Sequence, residues 1–205
     1  VPMNTPGVRL VRPLRFMGWE DHVAPVGELE FCDVEVPVEN RLGAEGGGFS
    51  GSQARLGPAR IHHCMRQIGL AEVLMSLMHA RAKERRTFGR SLIDYDTVQR
   101  SIAQSRIDIE LARIMVQRTA WLIDQQGFSA AREDVSLIKF HVADVLSEVL
   151  ERAIQTHGAL GLTDDTVLAW FYTRERGAHI YDGPDEVHKM VVARRIFHRY
   201  SKAGA

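Results

Sequence analysis

The stretch YDGPDEVH, residues 181–188, sets the Asp182 carboxylate between an aromatic ring and a Gly-Pro pair, where a turn would pass into a helix. The residues alone leave two readings of that acid open. It is a turn residue, solvated or capping the next helix, or it is a general base in a partly dry cleft, with Tyr181 restricting water and the surroundings tuning its proton affinity. A second stretch, ERRTFGR (residues 84–90), joins three arginines to Thr87 and a flexible Gly89. Forked guanidinium donors and a hydroxyl suit a pyrophosphate, while a charged helix C-terminus offsetting its own dipole explains the same residues. QTHGALGLT (residues 155–163) offers backbone N–H groups to a phosphate or nucleotide ring, or a simple C-cap at Gly158. Asp185 and His188 share the three-residue ligand spacing of di-iron bundles, but that chemistry needs a second such pair, which the other long helices lack, so no metal is expected. His62-His63 beside Cys64 lacks further ligands at metal spacing and reads as surface or helix packing.

Composition narrows the field. The 205 residues are 45% apolar, enough for a real core, and Lys+Arg and Asp+Glu both total 26, so no global field draws the chain to nucleic acid or an anionic membrane. Basic charge gathers locally at Arg81, Lys83, Arg85, Arg86 and Arg90. Two cysteines far apart, Cys32 and Cys64, fit a reduced intracellular chain better than a disulfide framework or a structural zinc. No apolar run reaches the ~20 residues of a membrane span, and a soluble chain is expected.

The elements that must position these residues fall into two parts. Over residues 1–46, Val8, Leu10 and Leu14, then Leu29, Phe31, Val34 and Val36, mark extended stretches, with an irregularity at Asp33 and prolines at 2, 6, 13, 25 and 37. Two or three strands cannot bury both faces, so a sheet completed by other chain is expected. From residue 47 to 205 the period is helical. Cys64, Ile68, Ala71, Met75, Met78 and Ala82 predict a long helix over roughly 50–86. Ile102, Ile109, Val116 and Ile123 repeat every seven residues, with Val98, Ser105, Ala112 and Thr119 as small partners in a seam. Ile138, Val142, Val145 and Val149, flanked by Leu146, Leu150 and Ile154, predict a third helix buried on more than one side. A shorter helix is expected from about Asp164 to Arg176, and a last one with Pro184 in its first turn.

In this order and spacing, RTFGR-x₈-Q, QTHGALGLT and YDGPDEVHKMVVARR resemble three motifs of the acyl-CoA dehydrogenases: the RxTFG turn, the QxxGGxG segment and the segment bearing the catalytic glutamate. PGVRL and ELEFCDVEVPVENRLGAEGGGF resemble the end of that family's middle β-barrel, and the rest resembles its C-terminal four-helix bundle. The resemblance implies a mainly α fold, an antiparallel helix bundle preceded by a small β segment left from a partial barrel. It implies an FAD-dependent oxidoreductase of fatty acid metabolism. Asp182 would take an α-proton from an acyl-CoA thioester while flavin N5 accepts the β-hydride. By position, Arg60, Gly183 and Arg194 would meet the substrate. Arg85, Arg86, Thr87 and Phe88 would meet FAD across a dimer interface, as would Gln155, Thr156, His157, Gly158 and Ala159, with Pro184 and Glu186 beside the flavin. The family further implies a homodimer or homotetramer, electron-transfer flavoprotein as acceptor, and a cytoplasmic location, or a mitochondrial or peroxisomal one in a eukaryote.

Three departures stand out. Asp182 is one methylene shorter than the family's glutamate. Pro184, Asp185 and Glu186 stand where many members have Thr-Ser-Gln, placing two acids near a pyrophosphate, and Asp96 replaces a flavin-contacting glutamine. The family's N-terminal helical domain and first barrel strands have no counterpart in these residues, so the chain alone is expected to bind FAD weakly or not at all and not to turn over. A non-catalytic helical interaction module and an acyl-CoA oxidase on the same scaffold are the rival readings.

Overall fold

The computed structural model describes residues 1–20 and 25–203. It divides into two compact units, Val1–Ala54 and Arg55–Ala205. In the first, β1 (Val8–Pro13) pairs antiparallel with β4 (Gly27–Phe31), Val8 opposite Phe31, with a register irregularity between Leu10 and Arg12. Between them, β2 (Arg15–Phe16) and β3 (Trp19–Glu20) form a hairpin whose two turn residues, Met17 and Gly18, both have positive φ, as a tight hairpin of this twist requires. The second extended stretch ends at Phe31, leaving Val34 and Val36 outside any strand, and the irregularity expected at Asp33 is a left-handed residue, φ 48°. Leu10, Leu29 and Phe31 remain exposed.

The helices are α1 (Gly48–Glu84), α2 (Asp96–Gln126), α3 (Arg132–His157), α4 (Leu168–Glu175) and α5 (Asp185–Ala203). A short hairpin, β5 (Arg86–Thr87) with β6 (Arg90–Ser91), reverses the chain after α1, and Gly127, φ 79°, ends α2 before the return into α3. Helix α3 is central, contacting α2, α4 and α5. Its Ile138, Val142, Val145, Leu146, Val149 and Leu150 are buried in one core with Cys64, Ile68, Leu74 and Met78 of α1, Ile109 and Val116 of α2, and Leu168 of α4. The seven-residue seam of α2 holds: Ser105, Ala112 and Thr119 are fully or almost fully buried. The two hydroxyls return to their own helix, Ser105 Oγ donating to Ser101 O and Thr119 Oγ1 to Met115 O, both at 2.8 Å, so a close helix approach leaves neither hydroxyl unpaired.

Two helix starts differ from the sequence expectation. α4 begins at Leu168 rather than about Asp164, because Thr163 and Thr166 accept the N–H groups of Asp165 and Leu168 in side-chain turns that compete with a helix. α5 begins at Asp185, with Pro184 just outside, its carbonyl accepting from the N–H groups of Val187 and His188.

Since Ala112 is 0% exposed, extra methylenes there must displace a packed helix. Ala112→Leu should destabilise the chain by about 1–3 kcal/mol, read as a lower urea midpoint with an unchanged slope. An unchanged midpoint would show that the seam is not close-packed.

Candidate active site

Arg60, His63 and Gln67 recur at three- and four-residue spacing on α1 and so share one face. That face meets the segment between α4 and α5. A 3-10 turn over Arg176–His179 is closed by Ile180 and Tyr181 N–H groups donating to Gly177 O at 2.8 and 3.0 Å. Asp182 and Gly183 then both adopt positive φ, 55° and 105°. For Asp182 that costs on the order of 1–2 kcal/mol, tolerable for a short polar side chain. For Gly183 the glycine is obligatory, because a Cβ would also lie 2.8 Å from His188 Nε2.

Two donors hold the turn. Arg60 Nε donates to Asp182 O at 2.9 Å, and His188 Nε2 lies 3.2 Å from the same oxygen. A carbonyl only accepts, so His188 carries its proton on Nε2. Backbone and side chain are thus separated: both cations or potential cations engage the carbonyl, leaving the carboxylate to another partner. That partner is His63, whose Nε2 lies 2.9 Å from Asp182 Oδ2. The distance is that of an ion pair, but the alignment falls short of a hydrogen bond, and Oδ2 and His63 Nδ1 are buried without a hydrogen-bond partner among the described residues.

Behind His63 lies a more rigid layer. Its ring stands 4.9 Å from that of Tyr181, whose hydroxyl accepts from Arg66 Nη2 at 2.9 Å and Gln67 Nε2 at 3.3 Å. Arg66 in turn makes a two-pronged pair with buried Glu175, at 2.7 and 2.9 Å. Burial, chiefly, pulls the imidazoles of His63 and His188 below the usual histidine range, so both are neutral near pH 7. Burial likewise pushes the Tyr181 hydroxyl up.

The acids after Asp182 turn elsewhere. Asp185, 5% exposed, receives Lys139 Nζ at 3.0 Å and faces His179 Nδ1 at 2.5 Å, while His179 Nε2 lies 2.8 Å from Ser147 Oγ. Ser147, His179 and Asp185 edge a cleft of about 600 Å³. Asp144, His179 and Asp185 bring ligand atoms within 4.8 Å of one another, a spacing compatible with a cation, yet the Lys139 ammonium already neutralises Asp185. The Ser147–His179–Asp185 order resembles a nucleophile relay, but Ser147 sits inside α3, whose backbone N–H groups are committed to the helix and cannot hold an oxyanion. The cluster ties α5 to α3 beside the Asp182 turn.

The other residues singled out in the sequence lie apart from this group. Arg86 and Thr87 form β5, and Phe88 and Gly89 are its turn, φ 47° and 83°, with Phe88 fully exposed. The Tyr95 hydroxyl donates to Thr87 O at 2.8 Å and Arg90 lies 3.9 Å over the Tyr95 ring, so the segment is an ordered hairpin rather than a fraying helix end. Arg85 and Arg86 are exposed. Gln155, Thr156 and His157 are the last turn of α3, and Gly158, φ 65°, caps it before Ala159 in a 3-10 turn. Arg194 and Glu186 are both exposed on α5, and Pro184 lies just before it. Among the described residues no hydrogen bond or ion pair joins the hairpin, the α3 end or Arg194 to Asp182. Exposed guanidiniums beside a threonine hydroxyl fit a diphosphate. Asp185, one of two acids expected to oppose it, is turned inward and paired.

The sequence reading missed His63, assigned to surface or packing. Instead the HHC run diverges: His62 is exposed, His63 faces Asp182, and Cys64 is buried, its thiol pushed up to about 12 by burial. The available signal was the Arg60 face, on which His63 lies one turn away.

Known proteins share this arrangement of elements. The family model "Acyl-CoA dehydrogenase, C-terminal domain" matches residues 46–197. A curated relative, "Probable acyl-CoA dehydrogenase FadE2" of Mycobacterium tuberculosis, is 48% identical over 95% of this chain and 47% of its own length. The chain therefore spans less than half of that relative, and 18% of "Acyl-CoA dehydrogenase family member 10" of Mus musculus, which is 45% identical over 95% of this chain. Among solved structures, butyryl-CoA dehydrogenase from Megasphaera elsdenii superposes with a TM-score of 0.86 at 28% identity, covering 96% of this chain and 50% of that one. A structure described as "Electron transferring flavoprotein of Acidaminococcus fermentans: Towards a mechanism of flavin-based electron bifurcation" gives 0.86 at 31% identity, covering 96% and 50%.

The lowered imidazoles set a pH dependence. Below the ordinary histidine value of about 6.5 the unfolded chain binds more protons than the folded one, so stability is full above that value and falls as pH drops toward the folded-state values. The urea midpoint should fall between about pH 7 and about pH 5, and His188→Gln should flatten that slope. An identical slope in the variant would contradict the burial account of His188.

Proposed function

The chain belongs to the acyl-CoA dehydrogenase family, through its C-terminal domain, and from that premise we propose that in the complete enzyme Asp182 removes the α-proton of an acyl-CoA thioester. One observation supports this above the others: a largely buried carboxylate, 15% exposed, on a left-handed turn whose carbonyl is clamped by Arg60 and His188. An aspartate that merely caps a helix would turn toward the N–H groups of α5. Asp182 turns to α1.

The α-proton of a thioester is a poor acid, so a base works only where position substitutes for strength; correct placement can supply ~7–11 kcal/mol of a barrier. The clamp does this for a short side chain, since fixing the backbone leaves only two torsions free. Arg60, itself on the carbonyl, and Gly183, where only a bare backbone fits, line the approach to the thioester, and Arg194 on α5 meets the CoA moiety. FAD, when bound, supplies the acceptor for the β-hydride. Across a dimer interface, Arg85, Arg86, Thr87 and Phe88 on the hairpin would hold its diphosphate and Gln155, Thr156, His157, Gly158 and Ala159 would meet the same cofactor, with Pro184 and Glu186 near the ring system.

An exposed apolar row on α2, Ile107, Leu111, Ile114 and Trp121, supports a homodimer or homotetramer. Electron-transfer flavoprotein is the proposed acceptor, and the Acidaminococcus neighbour, described by that name, supports it; reduced flavin that reacts rapidly with oxygen would make the enzyme an oxidase instead. No helix among the described residues is long and apolar enough to cross a membrane. Activity belongs to the longer protein, and the isolated 205 residues, with Leu10, Leu29 and Phe31 uncovered, are proposed not to turn over.

The test uses that longer protein under anaerobic conditions. Asp182→Asn should slow flavin reduction by acyl-CoA by at least about 100-fold with flavin content and fold intact. Undiminished reduction would favour a non-catalytic helical interaction module.

A further inference from the structure

We propose that His63 is a positioning residue for Asp182: it fixes Oδ2 from the α1 side, so that Oδ1 is the oxygen presented to the substrate. The inference rests on Asp182 being the base.

Among the described residues His63 is the basic side chain within ion-pair reach of the Asp182 carboxylate, while Arg60 and His188 both turn to the carbonyl of the same residue. The clamp fixes the backbone but not the side-chain torsions, and a carboxylate with no partner would sample several rotamers. Oδ2 is buried, so the 15% exposure of the side chain lies on its other atoms. One oxygen therefore faces His63 and the other is left open.

The imidazole is itself held. Tyr181 packs on its ring, Arg66 and Gln67 hold the Tyr181 hydroxyl, and Glu175 holds Arg66. A carboxylate only accepts and Nε2 is the ring nitrogen 2.9 Å from it, so the proposal puts the His63 proton on Nε2, where a small ring rotation completes the hydrogen bond, and leaves Nδ1 as the buried lone pair, without a partner among the described residues. The choice of imidazole follows from the chemistry. A permanent cation at 2.9 Å would hold the anion and weaken it as a base, whereas a neutral N–H, favoured by burial, orients it at less cost to basicity. Arg60, the permanent cation nearby, is directed to the carbonyl instead.

Two variants of the complete protein separate orientation from packing. His63→Leu keeps volume but loses the donor, and His63→Gln keeps an N–H near the Nε2 position. At saturating acyl-CoA, His63→Leu should reduce its flavin about 10–100-fold more slowly, with acyl-CoA affinity within about threefold of the parent, whereas His63→Gln should recover to within about fivefold. Reduction by His63→Leu at the parent rate, or equal slowing in both variants, would overturn the role. Asp182→Asn measured alongside keeps the two ideas distinct: if it is silent while His63→Leu is normal, only the His63 role falls. If it still reduces flavin, the base assignment falls. Should His63→Leu not retain flavin, a crystal structure of the parent protein with an unreactive acyl-CoA decides. Oδ2 within about 3.2 Å of His63 Nε2 and Oδ1 toward the α-carbon support the proposal, and a carboxylate swung off His63 overturns it.

Discussion

The site depends on one carbonyl. Asp182 O accepts from Arg60 of α1 and faces His188 of α5, and these two contacts hold a left-handed residue followed by a glycine that no side chain could replace. Without them the two positive φ angles would have little to sustain them, and the Asp182 side chain would leave the face of α1. A strained backbone is retained where its surroundings over-determine it. Here the surroundings are an arginine and a histidine from two different helices, so the position of the acid is tied to the packing of the bundle.

Charge is spread around that turn with little waste. The two buried acids beside it both have partners: Glu175 has Arg66, and Asp185 has Lys139 and His179. Glu175 also lies 3.8 Å from Arg174 Nε and Asp185 has two basic partners, so replacing the acid itself, rather than one partner, is the change that leaves charge uncompensated, and the Asp182 segment is flanked by two anchors sensitive to mutation. Helix α3 connects the Asp185 anchor to the core, since Lys139 and Ser147 lie on the same helix as Val142, Leu146 and Val149. The long apolar helices give the turn a stable frame, and the polar clusters fix its register on that frame.

Much of the fold was legible in the sequence because periodicity reports burial directly. The seven-residue repeat from Ile102 to Ile123 and the broad apolar surface of α3 are statements about packing, and α1 lies within two residues of its expected ends. Helix starts were less legible where hydroxyls offer the backbone an alternative, as Thr163 and Thr166 do before α4. At the site, Asp182 and Arg60 were readable from motifs, and the structure brings them together. His63 was not, because its partner lies far along the chain and local spacing cannot show which acid a histidine will face. Asp185 was misjudged for the same reason. Its carboxylate, expected to crowd a pyrophosphate, is drawn inward by Lys139 on another helix.

The central claim is that a clamped, short carboxylate takes a proton from the α-carbon, and exchange of that hydrogen with solvent tests it without any oxidation. Tert-butylacetyl-CoA has α-hydrogens but none on its β-carbon, so it can be deprotonated and reprotonated but not desaturated. Incubated in D₂O with the complete protein, it should gain deuterium at the α-carbon, and with Asp182→Asn it should not. Deuterium entering equally fast with the asparagine variant would contradict the account, because some other group would then be removing the proton.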